Sequence, residues 1–272
     1  MIRFLIVIVG LLMAHSSYLD TIRAWQQHRD EGLRAPDSWL TLVGLDWLKP
    51  GDNDIPHIGR FVLHGNKVSF IRSDGSSVPL SYDEDKPDVI HSGTLLAYVI
   101  KRGDRFAVRV KDSASPARKH FTGMKYFPIN PAFRFNARFI PEEKKIPILN
   151  IVGQEELELS PGIVEFSYQG ETYHLRPIYE GQTLFFLFKD PTNKTETYQA
   201  GRMLNTPLPV NGKVDLDFNK SYNPPCTFTP YATCPLPPKE NTLPFPVKAG
   251  ELRYANHSEP RPGVQGAPAS AR

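Results

Sequence analysis

Residues 217–241 read DFNKSYNPPCTFTPYATCPLPPKEN and hold both cysteines, six prolines and three asparagines. Proline has no N–H to give and holds φ in one narrow range, so this stretch forms neither a helix nor an ordinary strand. A chain that carries so stiff a loop must build other elements around it. The loop itself needs a reason, which is a disulfide, a metal, a ligand or a packing plug.

The rest of the chain is punctuated in the same way. It has 26 prolines and 19 glycines in 272 residues, which favours many short elements over long helices. Its 11% aromatic content suits strands. From residue 60 the pattern has period two. Strands are expected at 60–63, 67–71, 95–101 and 105–111, with His64-Gly65-Asn66 and Arg102-Gly103-Asp104 as hairpin turns. They resume at 133–140, where Phe133, Phe135, Ala137 and Phe139 share a face, and continue at 145–150, 155–159, 163–168, 172–177, 183–188, 214–218 and 243–248.

About twelve short strands predict a mainly β fold, an antiparallel β-barrel or sandwich body with a short N-terminal helix. The helix is expected at 17–35, with Leu19, Ile22, Trp25 (or Gln26), Arg29 and Leu33 on one mainly apolar face and Pro36 ending it. The dense apolar run at 39–48 reads as a buried strand or strand-turn, with Trp39 and Trp47 as core aromatics rather than ligand-stacking rings. Residues 36–254 then form one β-rich domain, and the irregular stretch 112–131 is where two lobes would meet. The tail 255–272 has no Leu, Ile, Phe or Trp and is expected to be disordered.

The chain opens MIRFLIVIVGLLMAHS. Arg3, an apolar run over 4–13 that falls short of the roughly 20 residues a bilayer needs, and small residues at 14 and 16 predict a secretory signal peptide cleaved after Ser16. An uncleaved anchor or a buried strand is the alternative. No later stretch reads as a membrane span, so an exported protein, periplasmic or secreted, is expected. Removal of residues 1–16 takes away one Arg, leaving 31 basic against 29 acidic residues, or +2. The longest basic cluster is Arg118-Lys119-His120, which excludes a nucleic-acid-binding face.

Cys226 and Cys234 are the only cysteines, and exported thiols usually pair. A bond between them would close a loop of about nine residues and contribute roughly 2.5 kcal/mol through chain entropy. A thiol pair and a metal site are the alternatives. Cys-x7-Cys is not a usual zinc knuckle, and His57, His64, His91, His120 and His174 lie at no ligand spacing, so no metal or cofactor is expected.

Asp215 and Asp217 lie two apart on an expected strand and point to one face. They are either a carboxylate pair for acid–base work or a solvated face on which Asp217 caps the Asn-rich turn. Asn219 and Asn223 flank that turn, in structural or ligand-binding roles. Arg202 enters a β core and needs an anion. That anion is Asp190, Asp217 or Glu251, or else a ligand carboxylate or phosphate. No Gly-x-Ser-x-Gly elbow, His-Glu-x-x-His, phosphate loop or Gly-x-Gly-x-x-Gly is present.

These residues carry a resemblance. The run Trp39-Leu-Thr-Leu-Val-Gly-Leu-x-Trp-Leu-x-x-Gly51 is one half of it. Phe188-x-Asp190, Thr197-Tyr198-x-Ala200-Gly201-Arg202, Asp217-Phe-Asn219, Tyr222-Asn-Pro-Pro-Cys226, Cys234-Pro-x-Pro-Pro, Asn241 and Ala249-Gly250-Glu251 are the other. Together they resemble DUF1684, a bacterial and archaeal domain of unknown function, over about residues 22–252. The resemblance implies that the two halves form one unit and implies no reaction or ligand. Gln199 stands where the family's turn reads Gly-Ala-Gly-Arg.

Three functions fit. The first is an exported small-ligand-binding protein with its pocket beside the Pro/Cys loop, using Arg202, Asp217, Asn219, Asn223, Asn241 and Tyr198. The second is an exported hydrolase using Asp217 and Asp215. The third is a structural or interaction protein of the envelope with no pocket.

Overall fold

The computed structural model describes residues 2–254, with side chains from residue 18 onward. The expected disordered tail and the side chains of the signal-like segment lie outside the described residues. Helix α1 (Ile2–Arg34) is continuous, so the short helix expected at 17–35 is the second half of a longer one. It buries Ile22 and Leu33 against the β body. No helix among the described residues is long and apolar enough to cross a membrane.

Everything after α1 is mainly antiparallel β. The first eight strands are β1 (Leu42–Trp47), β2 (Gly51–Ile55), β3 (Gly59–His64), β4 (Lys67–Ile71), β5 (Ser77–Leu80), β6 (Val89–Ser92), β7 (Leu95–Arg102) and β8 (Arg105–Asp112). They make two four-stranded sheets in the orders β2-β3-β4-β5 and β1-β8-β7-β6. Phe61, Val68, Val99, Phe106, Val108 and Val110 fill the space between them.

A short helix, α2 (Pro116–Lys119), follows. Then come β9 (Arg134–Leu149), β10 (Glu155–Tyr168), β11 (Glu171–Leu175), β12 (Ile178–Glu180), β13 (Thr183–Phe188), β14 (Arg202–Pro207) and β15 (Lys213–Asp217). They form the sheets β11-β10-β9-β15 and β12-β13-β14. Their core holds Phe133, Val164, Phe166, Phe186, Phe188, Leu216 and Phe218. No sheet among the described residues closes into a barrel; the body is layered open sheets.

Three differences from the sequence reading have physical causes. The strands expected at 133–140 and 145–150 are one strand, β9, and those at 155–159 and 163–168 are one, β10. Pro141 and Pro161 do not end them, because both lie where the register shifts between Ser160 and Gly162, and a bulge accepts proline. Residues 243–248 alternate inward and outward as a strand should, with Leu243, Phe245 and Val247 buried, yet they form no ladder. Pro244 and Pro246 have removed the donors. Finally β2, β5, β6, β12 and β14 carry patterns too short or too polar to stand out.

The geometry around β8 sets up the site. Phe106, Val108 and Val110 point into the first core. Alternation sends Ala107 and Arg109 to the other face. Solvent would normally wet that face, but Trp39 and the Pro/Cys loop cover it, and both residues are buried.

Candidate functional site

Each candidate from the sequence has a definite place, and most hold the frame. Arg202 begins β14 and its side chain is fully enclosed. It donates to Asp190 Oδ2 at 2.6 Å and to the carbonyls of Val247 at 2.8 Å and Ala249 at 2.5 Å, with its guanidinium 5.0 Å from the Phe188 ring centroid. Burial pulls its pKa below the ordinary value, and the Asp190 carboxylate opposes that pull. Asp190 Oδ1 accepts from Thr192 N at 2.9 Å and Val247 N at 3.1 Å. Arg202 is therefore half of a buried ion pair, with no room for a ligand anion, and its assignment to ligand binding is corrected.

Gly201 precedes it at φ +116, and a Cβ there would stand 2.5 Å from Pro237 Cγ and 2.8 Å from Phe188 O. Gly201→Ala should lower stability by about 2 kcal/mol, read as a fall in the urea midpoint. The Gln199 departure does no harm. Gln199 is exposed in a turn closed by Gly201 N on Tyr198 O at 3.1 Å, and its φ is not positive.

The carboxylate pair also resolves into structure. Asp215 is exposed and takes Arg134 through two bonds, at 2.8 and 2.9 Å. Asp217 is buried and caps the turn Phe218–Lys220, accepting from Asn219 N at 3.0 Å and from the Tyr18 hydroxyl at 3.0 Å. Neither lines either of the two cavities beside the Pro/Cys loop, and both are engaged by protein groups, so the acid–base reading of Asp215 and Asp217 is corrected.

Asn219 spends its amide on Asn130, Asp217 and Tyr18. Asn241 bonds Arg176 N and O and Leu187 O. Tyr198 is buried and donates to Cys226 O at 3.3 Å. These three hold the frame too. Asn223 is the one of the six candidates that lines the pocket beside the Pro/Cys loop. Its N–H donates to the fully buried Glu251 at 2.7 Å, its Nδ2 to Leu252 O at 2.8 Å, and its buried Oδ1 has no partner.

Cys226 and Cys234 are both buried and lie side by side as thiols, not as the expected disulfide; Cys226 N–H donates to Cys234 Sγ at 3.0 Å. Burial pushes the Cys234 thiol well up, the neighbouring Cys226 adds to this, and the Arg109 charge acts the other way. A raised thiol is a poor nucleophile. Native protein at neutral pH should therefore react with a thiol reagent far more slowly than denatured protein, in which both groups should titrate. A count of zero in denaturant would mean a disulfide instead. Among the described residues no group of three or more His, Cys, Asp or Glu is placed to hold a metal.

A pocket lies beside the Pro/Cys loop, with walls built largely from residues the sequence reading did not name. It measures about 380 Å³ and brings together Arg29 of α1, Trp39, Arg102 and Arg109 of the first lobe, and Glu180, Tyr222, Asn223, Thr233 and Cys234 of the second. Arg29 has a buried carboxylate for company, Glu251 at 2.8 Å, and lies 4.8 Å from the Tyr222 ring centroid. Burial disfavours its charge, but Glu251 more than offsets this and its pKa is raised. Arg102 pairs with Glu84 and donates to Thr233 Oγ1 at 3.1 Å.

Arg109 differs. It is 6% exposed and donates to Thr233 Oγ1 at 3.0 Å, but its buried Nε has no acceptor. No carboxylate of the described residues comes within 4.0 Å of it. The sequence offered one signal: an Arg set between Val108 and Val110 in the middle of a strand. Period-two reading places it in solvent.

No curated protein matches the chain. A solution structure of an uncharacterized protein from gene locus rrnAC0354 of Haloarcula marismortui is 30% identical, with a TM-score of 0.43, over 52% of this chain and 81% of that one. The matched family region starts well after the run at 39–51, so that half of the resemblance stands outside it. The signature residues inside it, from Asp190 and Arg202 to Asn241 and Glu251, are the buried frame described above. By the match of the family described as protein of unknown function (DUF1684) to residues 119–252, the chain belongs to DUF1684.

Proposed function

We propose that this is an exported protein that binds a small organic anion, a carboxylate or a phosphate, in the pocket beside the Pro/Cys loop. The observation that carries the reading is Arg109. A buried cation without a counter-charge costs several kcal/mol, and a pocket next to it is where the missing anion would sit. Arg29 and Arg102 add positive potential, and Trp39 and Tyr222 offer aromatic faces to the rest of the ligand. The volume suits a metabolite-sized molecule. Export rests on the signal-like first sixteen residues. Release of the protein by cell fractionation, with a mature N-terminus at Ser17, supports it; retention in the cytoplasm with an intact Met1 refutes it.

The binding test is a thermal-shift and native mass-spectrometry panel of small carboxylates and phosphate esters. A true ligand at a hundred times its Kd should stabilise the protein by about 2.7 kcal/mol, and Arg109→Met at the same ligand concentration should cut that shift to about half or less. If no anion on the panel shifts the transition and none co-purifies, the reading fails. The hydrolase reading has lost its carboxylate pair. The pocket beside the loop favours the binding reading over that of an envelope-interaction protein without one.

A further inference from the structure

A second pocket of about 300 Å³ adjoins the first. The two share Arg102, Glu180, Phe185, Thr233 and Pro235 in their walls, so they are two ends of one cleft. The charge changes sign along it. Arg29 and Arg109 belong to the first end only, and Glu84, Glu156 and Glu158 to the second only. Arg102 sits at the divide, held by Glu84 and Thr233. Glu156 accepts from Gly103 N at 3.2 Å.

Glu158 is the counterpart of Arg109. It is half-buried, and no cation of the described residues pairs with it within 4.0 Å. Burial raises its pKa first, and Glu156 and Glu84 raise it further. Each end of the cleft thus holds a charge with no ion pair within 4.0 Å, of opposite sign, and the wall the two ends share carries the apolar Phe185 and Pro235 beside Arg102, Glu180 and Thr233.

We infer that the ligand is zwitterionic: a carboxylate or phosphate bound at Arg109 and an amine bound at Glu158, joined by an apolar linker lying on Phe185 and Pro235. The inference rests on the anion-binding reading and extends it. No covalent step is involved. A neutral or singly charged ligand would leave one of the two ends uncompensated.

The test is isothermal titration calorimetry of the full protein with ω-amino carboxylates of increasing length, each compared with the fatty acid and the alkylamine of the same length. At the length that matches the cleft, the amino carboxylate should bind about tenfold or more tightly than the fatty acid. Glu158→Gln keeps the shape and removes the charge, so it should collapse that ratio toward one. Fatty acids that bind as well as amino carboxylates at every length would overturn the zwitterion and leave the anion reading standing. Fatty acids, amino carboxylates and alkylamines that all fail to bind would remove both.

Discussion

Arg202→Met is expected to destabilise the protein by about 3–5 kcal/mol, a large fraction of the stability an ordinary domain has. The guanidinium and its partner Asp190 both have fully enclosed side chains. Methionine fills much of the volume, so the loss is not chiefly a cavity. It is the charge left behind: Asp190 would keep backbone N–H groups, those of Thr192 and Val247 among them, but no cation, and the carbonyls of Val247 and Ala249 would lose their donors. Urea unfolding should show a much lower midpoint at an unchanged slope. Adding Asp190→Asn should recover part of the loss, because a neutral amide at that position leaves no stranded charge. A midpoint equal to wild type for the single variant would show that the pair does not hold the fold.

Arg109→Met should do the opposite. The protein without ligand is expected to melt at the same temperature or higher, with a gain of about 1 kcal/mol or more, while anion affinity falls at least about tenfold. The reason is that Arg109 is buried to nearly the same degree as Arg202 but has no carboxylate; the Nε of each lacks an acceptor, so the missing counter-charge is what separates them. It donates one bond to Thr233, which Arg102 also bonds. Replacing an uncompensated buried cation by an apolar side chain of similar length removes a cost and breaks little. A residue kept for packing loses stability when replaced; one kept for a ligand gives up affinity instead. Calorimetric melting of both Met variants beside wild type, with and without an anion, separates the two cases in one experiment. A large loss of stability in Arg109→Met would show that the residue holds the fold.

The different fates of these two arginines show how far local reasoning reaches. For Arg202 the sequence narrowed the partner to three carboxylates, because an Arg entering a β core demands one, and Asp190 proved to be the one. For Asp217 the capping role was likewise weighed from its place before an Asn-rich turn, and the structure shows that cap. The Pro/Cys loop was marked as the neighbourhood of a site because its stiffness needs a reason, a ligand among them, and a pocket does lie there, though most of its walls are not the residues first named.

Period-two apolar patterns, glycine turns and the helix stop before Pro36 are consequences of backbone sterics and side-chain alternation within a few residues. A single chain displays them openly, and they decided the mainly β class. Even proline's veto at 244 and 246 belongs to that local chemistry. The site is different in kind. Arg29, Trp39, Arg102, Arg109, Glu180, Tyr222 and Thr233 come from a helix, two β lobes and a loop. Each reads locally as an ordinary surface charge, core aromatic or loop residue. The face of β8 that bears Arg109 became interior only when Trp39 and the Pro/Cys loop closed over it, and no short-range pattern encodes which distant segment will cover which face. Burial turns a solvated charge into one that needs a partner, and burial belongs to the packed whole.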